Sequence, residues 1–488
     1  MVLDQLRRKK QVMKERDQLT RRELLRRGLG AAASVGALSA LPRIPSVAGR
    51  SGRMPNIVFV FSDQQRRDVM SCMGHEQLHT PNFDRLASQG ALCTNAVSGY
   101  PVCTPYRASL LTGRYCHSMG VAANDYRLPD TRNSFARVLK KYGYQTGYIG
   151  KWHLDGGKGR QPFIPRDRRH GFDYWVSENC NHRYFNTPTC FGDDPEPRPL
   201  PGYQPDDQTD LAIEYIREHK DHPFFLVMSW GPPHNPYIAP EEYMDMFKPE
   251  DIEQRPNVTD DMREHLAGYY AQVVNLDWNM GRLMKTLRDE GLEDDTILVF
   301  TSDHGDLIGA QGLSIREHKQ RPWEESIGIP FIIRYPRRIK AGTVCDTLIN
   351  TVDVMPTILS LAGAAIPSIV EGTDLSGFIL GRGGRELESA FLQVLLPVSD
   401  ARHLGAWRGV RTKRYTYARF EDEGWVLYDN QEDPYQLNNL IDKPEARELQ
   451  KELEGELQYW LRRTGDKFEP KEVWQERFDN ALLAWESD

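Results

Sequence analysis

Four short apolar runs, each ending abruptly in polar residues, constrain the fold of this chain more than any other feature. The runs are rich in β-branched and aromatic residues and lie at 56–61, 146–150, 223–229 and 296–301. Continuous apolar runs of this length are typical of strands buried on both faces, as in a parallel sheet. Amphipathic segments predict helices at about 132–143, 208–220, 260–290 and 351–362. Because strands and helices alternate, we expect an α/β layered fold.

Polar side chains with catalytic or metal-binding chemistry follow each of the four runs. They are Asp63 and Gln64, Lys151 and His153, His234, and Asp303 and His304. Ligands of α/β folds bind outside the carboxyl ends of the strands. We therefore expect these side chains to lie along one edge of the sheet and to form a functional site there.

The pairs Asp63-Gln64 and Asp303-His304 have the composition of a metal site. Oxygen donors from two such pairs can surround one divalent cation, which would polarise an anionic ester. Two carboxylates carry less ligand charge than three, which weakens calcium binding, and an imidazole nitrogen suits softer transition metals. The alternative interpretation is that Asp63 and Asp303 only cap the ends of their strands.

A cysteine motif lies between the first and second of these runs. Cys103-Thr104-Pro105-Tyr106-Arg107 leads into the small-residue segment 108–114. This Cys-x-Pro-x-Arg pattern resembles the signature of type I, formylglycine-dependent sulfatases of the alkaline phosphatase superfamily. The resemblance implies that a formylglycine-generating enzyme oxidises Cys103 to formylglycine, whose hydrated aldehyde is the nucleophile. It also implies a large mixed, mostly parallel sheet flanked by helices, with a smaller C-terminal α+β subdomain.

Other segments match the family in the same order along the chain, and the family's roles carry over residue by residue. Lys151 would stabilise the formylglycine hydrate, and His153 would accept a proton from it. His234, which follows two prolines, would contact the sulfate and the leaving oxygen. Lys319, four residues before Trp323-Glu324-Glu325, would stabilise the sulfuryl oxygens, and Arg107 would hold the formylglycine and the metal-binding pair.

The same resemblance implies a metal ligand set and its ion. The set consists of Asp63, Gln64, Cys103, Asp303 and His304. In the family the first pair is usually two carboxylates and the second is often Asp-Asn, so Gln64 and His304 depart from that pattern. Both substitutions also occur among sulfatases and the related phosphonate monoester hydrolases. The family favours calcium, and the imidazole leaves manganese open.

These features predict hydrolysis of sulfate esters, with sulfated carbohydrates outside the cell as the expected substrates and sulfated small molecules left open. Segment 155–210, rich in arginine, histidine and aromatic residues, is expected to form loops that could contact a sugar. A phosphonate or phosphate ester hydrolase on the same scaffold is one alternative. Another is a non-catalytic glycan-binding relative, which should have lost one or more site groups; none is missing from the sequence.

The N-terminal segment differs in charge from the rest of the chain, with ten Lys or Arg against four Asp or Glu in residues 1–28. Thr20 to Arg26 resembles a twin-arginine export signal, and the weakly apolar run from Leu29 to Leu41 is short for a bilayer span. We expect export by the twin-arginine machinery to a bacterial periplasm or exterior, and no stable membrane span in the mature chain. A basic amphipathic helix on the cytoplasmic surface is the alternative.

Changes in composition and in the predicted elements divide the chain into three parts. Residues 1–50 are the expected signal and linker, and residues 51–385 the expected catalytic domain. After the glycine-rich stretch 381–384, short strand-like runs and a charged helix predict a smaller subdomain over 386–488, with an antiparallel sheet.

Charge and cysteine content limit the other classes of function. The net charge is −7, and no lysine- or arginine-rich block occurs in the body of the chain, which argues against nucleic-acid binding. The seven cysteines are too few and too scattered for a disulfide framework. Whether Cys180 and Cys190 pair is left open.

Overall fold

The computed structural model describes residues 54–157, 160–384 and 386–486, and a ten-stranded sheet forms its centre. The predicted export signal, residues 1–50, lies outside the described residues. The strands of this sheet are β1 Asn56–Asp63, β2 Ala91–Val97, β3 Gln145–Lys151, β4 Tyr174–Glu178, β5 Phe185–Phe191, β6 Arg198–Tyr203, β7 Phe224–Pro233, β8 Thr296–Ser302, β9 Phe331–Arg334 and β10 Thr343–Asn350.

The helices pack on the sheet or connect its strands. They are α1 Pro81–Ser88, α2 Cys103–Thr112, α3 Cys116–Met119, α4 Phe135–Lys140, α5 Gln204–His219, α6 Glu241–Met244, α7 Arg263–Asp289, α8 Glu324–Ile327, α9 Thr351–Ala362, α10 Ser376–Ile379, α11 Arg447–Thr464 and α12 Lys471–Glu486. Short 3-10 turns lie at Ser71–Met73, Arg166–Arg168, Pro249–Asp251, Glu293–Asp295, Ser399–Ala401 and Pro444–Ala446.

The large sheet is mixed and mostly parallel, as predicted. Its strand order is β10-β2-β9-β8-β1-β7-β3-β4-β5-β6. The central strands β8, β1, β7, β3 and β4 run parallel to their neighbours in this group. Strand β9 is antiparallel to both of its neighbours, and β5 and β6 close the far edge in antiparallel pairing. Because the central strands are parallel, their carboxyl ends lie at the same edge of the sheet.

The central strands are buried on both faces, which explains their continuous apolar sequence. In β1, every residue from Asn56 to Asp63 is buried. Ile57, Phe59 and Phe61 belong to one apolar cluster, whereas Val58 and Val60 belong to another. Side chains of a strand alternate between the two faces, so the sheet separates two apolar layers.

A second, four-stranded antiparallel sheet follows residue 385. Its strands are β11 Ala390–Val394, β12 Trp407–Arg411, β13 Tyr415–Arg419 and β14 Gly424–Asp429, in the order β11-β12-β13-β14. Helix α11 packs against it through Leu453, Leu457 and Trp460. This smaller antiparallel unit was expected from the sequence. Residues Met54–Asp488 form one compact unit, and the domain boundary near 385 stays a prediction.

Two further features bear on the sequence analysis. All seven cysteines lie within the described residues and are free thiols, Cys180 and Cys190 included. Among the residues that the structure describes, no helix is both long enough and apolar enough to span a bilayer.

Candidate active site

The carboxyl ends of four central strands supply most of the predicted site residues. Asp63 ends β1 and Lys151 ends β3, while His234 follows β7 and Asp303 follows β8. Cys103, the first residue of α2, comes to the same edge of the sheet. The structure therefore brings together side chains that are up to about half the chain apart in sequence.

Four side chains form a buried cluster that could hold a metal ion. A carboxylate oxygen of Asp63 and of Asp303, the sulfur of Cys103 and an imidazole nitrogen of His304 all lie within 4.8 Å of one another. Cys103 Sγ is 3.6 Å from Asp63 Oδ1 and 3.4 Å from His304 Nε2. Two carboxylates this close in a buried site repel each other unless positive charge lies between or beside them. The donor set therefore fits a divalent cation.

Gln64 joins this cluster through both its backbone and its side chain. Its backbone N–H donates to Asp303 Oδ1 at 2.9 Å. Its φ of 72° lies in the left-handed region, and its backbone carbonyl accepts a hydrogen bond from Tyr269. The side-chain oxygen of Gln64 accepts from Lys319 Nζ at 3.0 Å.

Cationic side chains surround the two carboxylates. Arg107 Nη2 is 3.4 Å from Asp63 Oδ2 and 3.1 Å from Asp303 Oδ2, and Lys151 Nζ also donates to Asp63 Oδ2. Burial would raise the pKa of Asp63, but the charges of Lys151 and Arg107 hold that pKa well below its usual value. Asp63 is therefore an ionised group that is stabilised inside the protein.

Lys319 lies at the centre of the site. Its Nζ is 3.2 Å from Cys103 Sγ, 3.3 Å from His304 Nε2 and 3.4 Å from His234 Nε2. Burial would raise the pKa of Cys103, and so would Asp63, yet Lys151 and Lys319 keep it well below its usual value. The environment of residue 103 therefore favours negative charge.

His234 faces Lys319 as a neutral imidazole. Burial, His182 and Lys319 hold the pKa of His234 well below its usual value. Its Nδ1 is 2.8 Å from the Asn235 carbonyl, so Nδ1 carries the proton and Nε2 points its lone pair at Lys319. The Lys319 ammonium can therefore donate a hydrogen bond to His234 Nε2.

His153 is another neighbour of Cys103. Its φ is 53°, its Nε2 is 3.2 Å from Asp125 Oδ1, and its carbonyl accepts a hydrogen bond from Thr104. Burial would lower the pKa of His153, but the negative charge of the neighbouring Cys180 thiolate, together with Asp125 and Cys103, raises it to about 10.

The sequence analysis did not single out several side chains that hold this site together. Asp306 accepts a hydrogen bond from the Gln64 side chain. Asn124 accepts one from the Thr104 N–H, and Ser229 accepts one from Arg107. Asp306 lies two residues beyond His304 in the same polar loop, which is the only sequence signal it gives. Asn124 and Ser229 have no distinguishing motif.

Segment 155–210 contains both buried structural residues and residues near the site. Asp155 pairs with Arg127 and Arg168, and Arg169 is buried. The ring of His182, by contrast, stacks on that of His234, with centroids 3.9 Å apart and planes 5° apart. Arg160 is 41% exposed and binds Asp125 through two nitrogens.

Glu324 and Glu325 are structural residues held in ion pairs. Glu324 pairs with Arg67 and Arg411, and Glu325 with Arg255. His318 is a neighbour of the site whose Nδ1 is 3.1 Å from Asp306 Oδ1.

Comparison with known families assigns most of the chain. The family model described as Sulfatase matches residues 55–364. The model described as N-sulphoglucosamine sulphohydrolase, C-terminal, matches residues 318–463. The first match contains the cluster around Cys103, and the second covers the four-stranded sheet.

Individual proteins extend this similarity over nearly the whole described chain. An ulvan-active sulfatase of Formosa agariphila is 39% identical over 87% of this chain and 84% of its own length. An endo-4-O-sulfatase of Bacteroides thetaiotaomicron is 29% identical over 89% of this chain and 97% of its own length. A solved structure in complex with its substrate D-glucosamine-2-N,6-O-disulfate has a TM-score of 0.76 and 25% identity, covering 85% of this chain and 99% of that one.

Proposed function

Because this chain belongs to the sulfatase family and is a sulfuric ester hydrolase, we propose that it removes sulfate from sulfated carbohydrates at the cluster around Cys103. One observation carries the proposal: the ligand atoms of Asp63, Cys103, Asp303 and His304 lie within 4.8 Å of one another, with Lys151, Arg107 and Lys319 around them. A sulfate ester is anionic, and its transition state concentrates charge on the sulfuryl oxygens. A buried positive pocket stabilises such charge.

A divalent cation is the first proposed cofactor, calcium in preference to manganese. Asp63, Gln64, Asp303 and His304, with the side chain at 103, would hold it. When bound, it would polarise the sulfuryl oxygens and favour nucleophilic attack on sulfur. The carboxylate and amide oxygens suit calcium, and the His304 imidazole is the donor that keeps manganese open.

Conversion of Cys103 to formylglycine, by a formylglycine-generating enzyme, is the second proposed element. The hydrated aldehyde would supply an oxygen nucleophile where the structure has Cys103 Sγ. The surroundings support a nucleophile here: Cys103 begins α2, where helix N–H groups and the helix dipole favour negative charge. Lys319 Nζ, 3.2 Å from the sulfur, adds a positive charge beside it.

Arg107 and Lys151 have positioning and electrostatic roles in this proposal. Arg107 bonds both Asp63 and Asp303, which fixes the separation of the two carboxylates. It also donates to the Lys151 carbonyl and to Ser229, so its guanidinium is held from several sides. Lys151 and Lys319 neutralise the negative charge that develops on the sulfuryl oxygens.

Two histidines near residue 103 carry the proposed proton transfers. His234 and Lys319, whose Nε2 and Nζ atoms are 3.4 Å apart, together protonate the oxygen of the departing alcohol. His153 accepts a proton from the hydroxyl at residue 103 as sulfate leaves. For this step His153 must be neutral; conversion of Cys103 removes one of the neighbours that raise its pKa, whereas Cys180 and Asp125 remain.

The carbohydrate substrate class is supported by the relatives and by the outer edge of the site. The relatives include an ulvan-active sulfatase and a protein bound to a sulfated glucosamine. His182 stacks on His234, and the half-exposed Arg160 binds Asp125 beside His153, so both place polar, hydrogen-bonding groups next to site residues. Such groups suit sugar hydroxyls better than an apolar aryl group.

Two measurements test the proposal. Mass spectrometry of the tryptic peptide that ends at Arg107 should show residue 103 without sulfur and with one added oxygen, and metal analysis should find about one divalent cation per chain. An unmodified thiol in active protein would contradict the nucleophile. An intact thiol with sugar binding but no turnover would favour the non-catalytic glycan-binding alternative.

The substrate class is tested by a panel of sulfated mono- and oligosaccharides beside an aryl sulfate and an aryl phosphonate monoester, with one preparation and one metal. We expect the highest kcat/KM on a sulfated saccharide. Turnover of aryl sulfate alone would contradict the carbohydrate assignment. A preference for the phosphonate would support the phosphonate or phosphate ester hydrolase alternative.

Export through the twin-arginine machinery to the periplasm or exterior is also proposed, from the motif at residues 20–26. Replacing Arg21 and Arg22 together by lysine should leave the enzyme in the cytoplasm, as measured by activity in separated cell fractions. Unchanged distribution would contradict the proposal.

A further inference from the structure

We propose that Asp306 is a positioning residue that fixes the side-chain amide of Gln64, so that Oε1 and not Nε2 faces the cation site. The inference rests on the proposed function, in which Gln64 is a ligand of a divalent cation. Asp306 itself lies behind Gln64 and is outside the proposed ligand set.

Gln64 lies between a group that only accepts hydrogen bonds and a group that only donates them. Its Nε2 is 2.6 Å from Asp306 Oδ2, and its Oε1 is 3.0 Å from Lys319 Nζ. A carboxylate offers acceptors alone, and an ammonium offers donors alone. The two neighbours therefore demand the same orientation of the amide, with nitrogen toward Asp306 and oxygen toward Lys319, Cys103 and His304.

Asp306 is itself fixed by donors from two other segments. Tyr237, beyond β7, donates its hydroxyl to Oδ2 at 2.8 Å. His318 Nδ1 is 3.1 Å from Oδ1. The residue has no exposed surface, so water cannot replace these partners. The carboxylate therefore presents a fixed acceptor to the Gln64 amide.

An amide ligand requires such a partner, whereas a carboxylate ligand does not. The two ends of an amide have nearly the same shape but opposite hydrogen-bonding character. A Gln64 amide turned by 180° would point N–H groups at a cation and lose a ligand. A glutamate at this position would present an oxygen in either orientation. An amide at position 64 thus requires an orienting partner, which Asp306 provides.

The backbone of Gln64 restricts the side chain further. Its N–H is bonded to Asp303 and its carbonyl to Tyr269, so the residue cannot shift to compensate for a turned amide. Outer partners of metal ligands orient them and raise affinity, and losing one typically costs about 10–100-fold. We expect an effect in this range.

The test compares Asp306→Ala in two backgrounds, the natural chain and Gln64→Glu. Calorimetric titration of the chelator-treated full chain with Ca²⁺ and with Mn²⁺ measures affinity without any assay of activity. In the natural chain, D306A should weaken binding about 10–100-fold. In the Gln64→Glu background, D306A should leave affinity unchanged or improve it, because both oxygens of the new carboxylate are ligands and a repulsive neighbour is gone.

Asp353→Ala is the matched control. Asp353 is also buried and accepts backbone N–H groups of Asn350 and Thr373, but it lies on α9. The Asp353→Ala variant should have a lower melting temperature and an unchanged cation affinity. Thermal melts of all variants verify that D306A is folded.

The outcomes separate this inference from the proposed function. Equal affinities of the natural chain and D306A, or an equal loss in both backgrounds, would overturn the positioning role and leave the cation site standing. No binding of either ion to the natural chain would overturn the cation site and the inference together.

Discussion

Identical side chains in this site acquire opposite properties from their neighbours. Asp63 and Asp303 are both fully buried and both contact Arg107. Lys151 reaches Asp63 alone, and the pKa of Asp63 is lowered despite burial. Burial and the charge of Asp63 raise the pKa of Asp303. The chemistry of a residue here is set by which cation lies beside it, which residue type does not reveal.

Replacement of His234 tests its role as the proton donor to the leaving group. His234→Asn should lower kcat on a sulfated sugar by about 10²–10⁴-fold, because an alkoxide leaves poorly without a proton. On 4-nitrophenyl sulfate, whose leaving group is stable as an anion, the loss should be much smaller. Steady-state kcat on both substrates is the measurement. An equal loss on both would show that His234 binds the sulfate group instead.

His170 should make stability depend on pH. It is 3% exposed, and burial, with Arg137, lowers its pKa to about 4. Between that value and the ordinary 6.5 the unfolded chain binds the proton more readily than the folded chain. Stability therefore falls as pH drops through this interval, by at most about 3 kcal/mol.

The measurement is urea unfolding between pH 4.5 and 7 for the natural chain and for His170→Asn. Asparagine does not titrate and tolerates the left-handed φ of 48° at this position. The free-energy difference between the two proteins should shrink on the acid side. A difference that does not change with pH would contradict the assignment.

At the scale of elements, helices and strands are joined by polar contacts that cross large sequence distances. Asp277, in the middle of α7, accepts the backbone N–H groups of Asn82 and Phe83 at 2.9 and 2.7 Å. These belong to the first turn of α1, whose own N-cap residue, Thr80, makes no capping bond. One helix therefore caps another.

Asp277→Ala should destabilise the protein by about 1–3 kcal/mol, because two buried N–H groups lose their acceptor. Asp289→Ala is the control: that carboxylate lies at the exposed end of the same helix, paired with Lys285, and its loss should change stability by less than about 0.5 kcal/mol. Urea denaturation gives both values. Similar losses in the two variants would refute the cap.

At the scale of the whole molecule, the second sheet is part of the structure that supports the site. Leu392, Val394 and Trp407 belong to the same apolar cluster as Ile57 and Phe59 of the central strand. Trp407 Nε1 donates to the carbonyl of Gln320 at 3.0 Å. Gln320 adjoins Lys319, so the second sheet helps to hold the loop that carries this lysine.

A chain that ends at residue 385 should therefore not fold as an independent catalytic domain. Removing 386–488 would expose the apolar cluster and free the loop around Lys319. We expect aggregation in size-exclusion chromatography and rapid proteolysis. A chain lacking only α12, most of whose residues are at least partly exposed, is the control and should remain folded. A monomeric, protease-resistant product ending at 385 would contradict the expectation.

The sequence alone was sufficient for the class of fold and for the cluster's membership. The sequence signal of a buried strand and of its end is local. Strands β1, β3, β7 and β8 are recognisable because each must be apolar on both faces. Because the strands are parallel, their carboxyl ends lie at one edge of the sheet. Asp63, Lys151, His234 and Asp303 meet there for that reason, whereas Cys103 and Lys319, which do not end strands, were predicted from the family motifs. Their catalytic and ligand roles stay predictions.

Only the tertiary structure decided how those residues are oriented and charged. The orientation of the Gln64 amide depends on Asp306 and Lys319, which lie 242 and 255 positions away. The cap of α1 and the support of Lys319 also come from distant segments. Hydrogen bonds and charge effects act over a few ångströms in space, and their partners are set by the packing of the whole chain, so a one-dimensional pattern does not contain them.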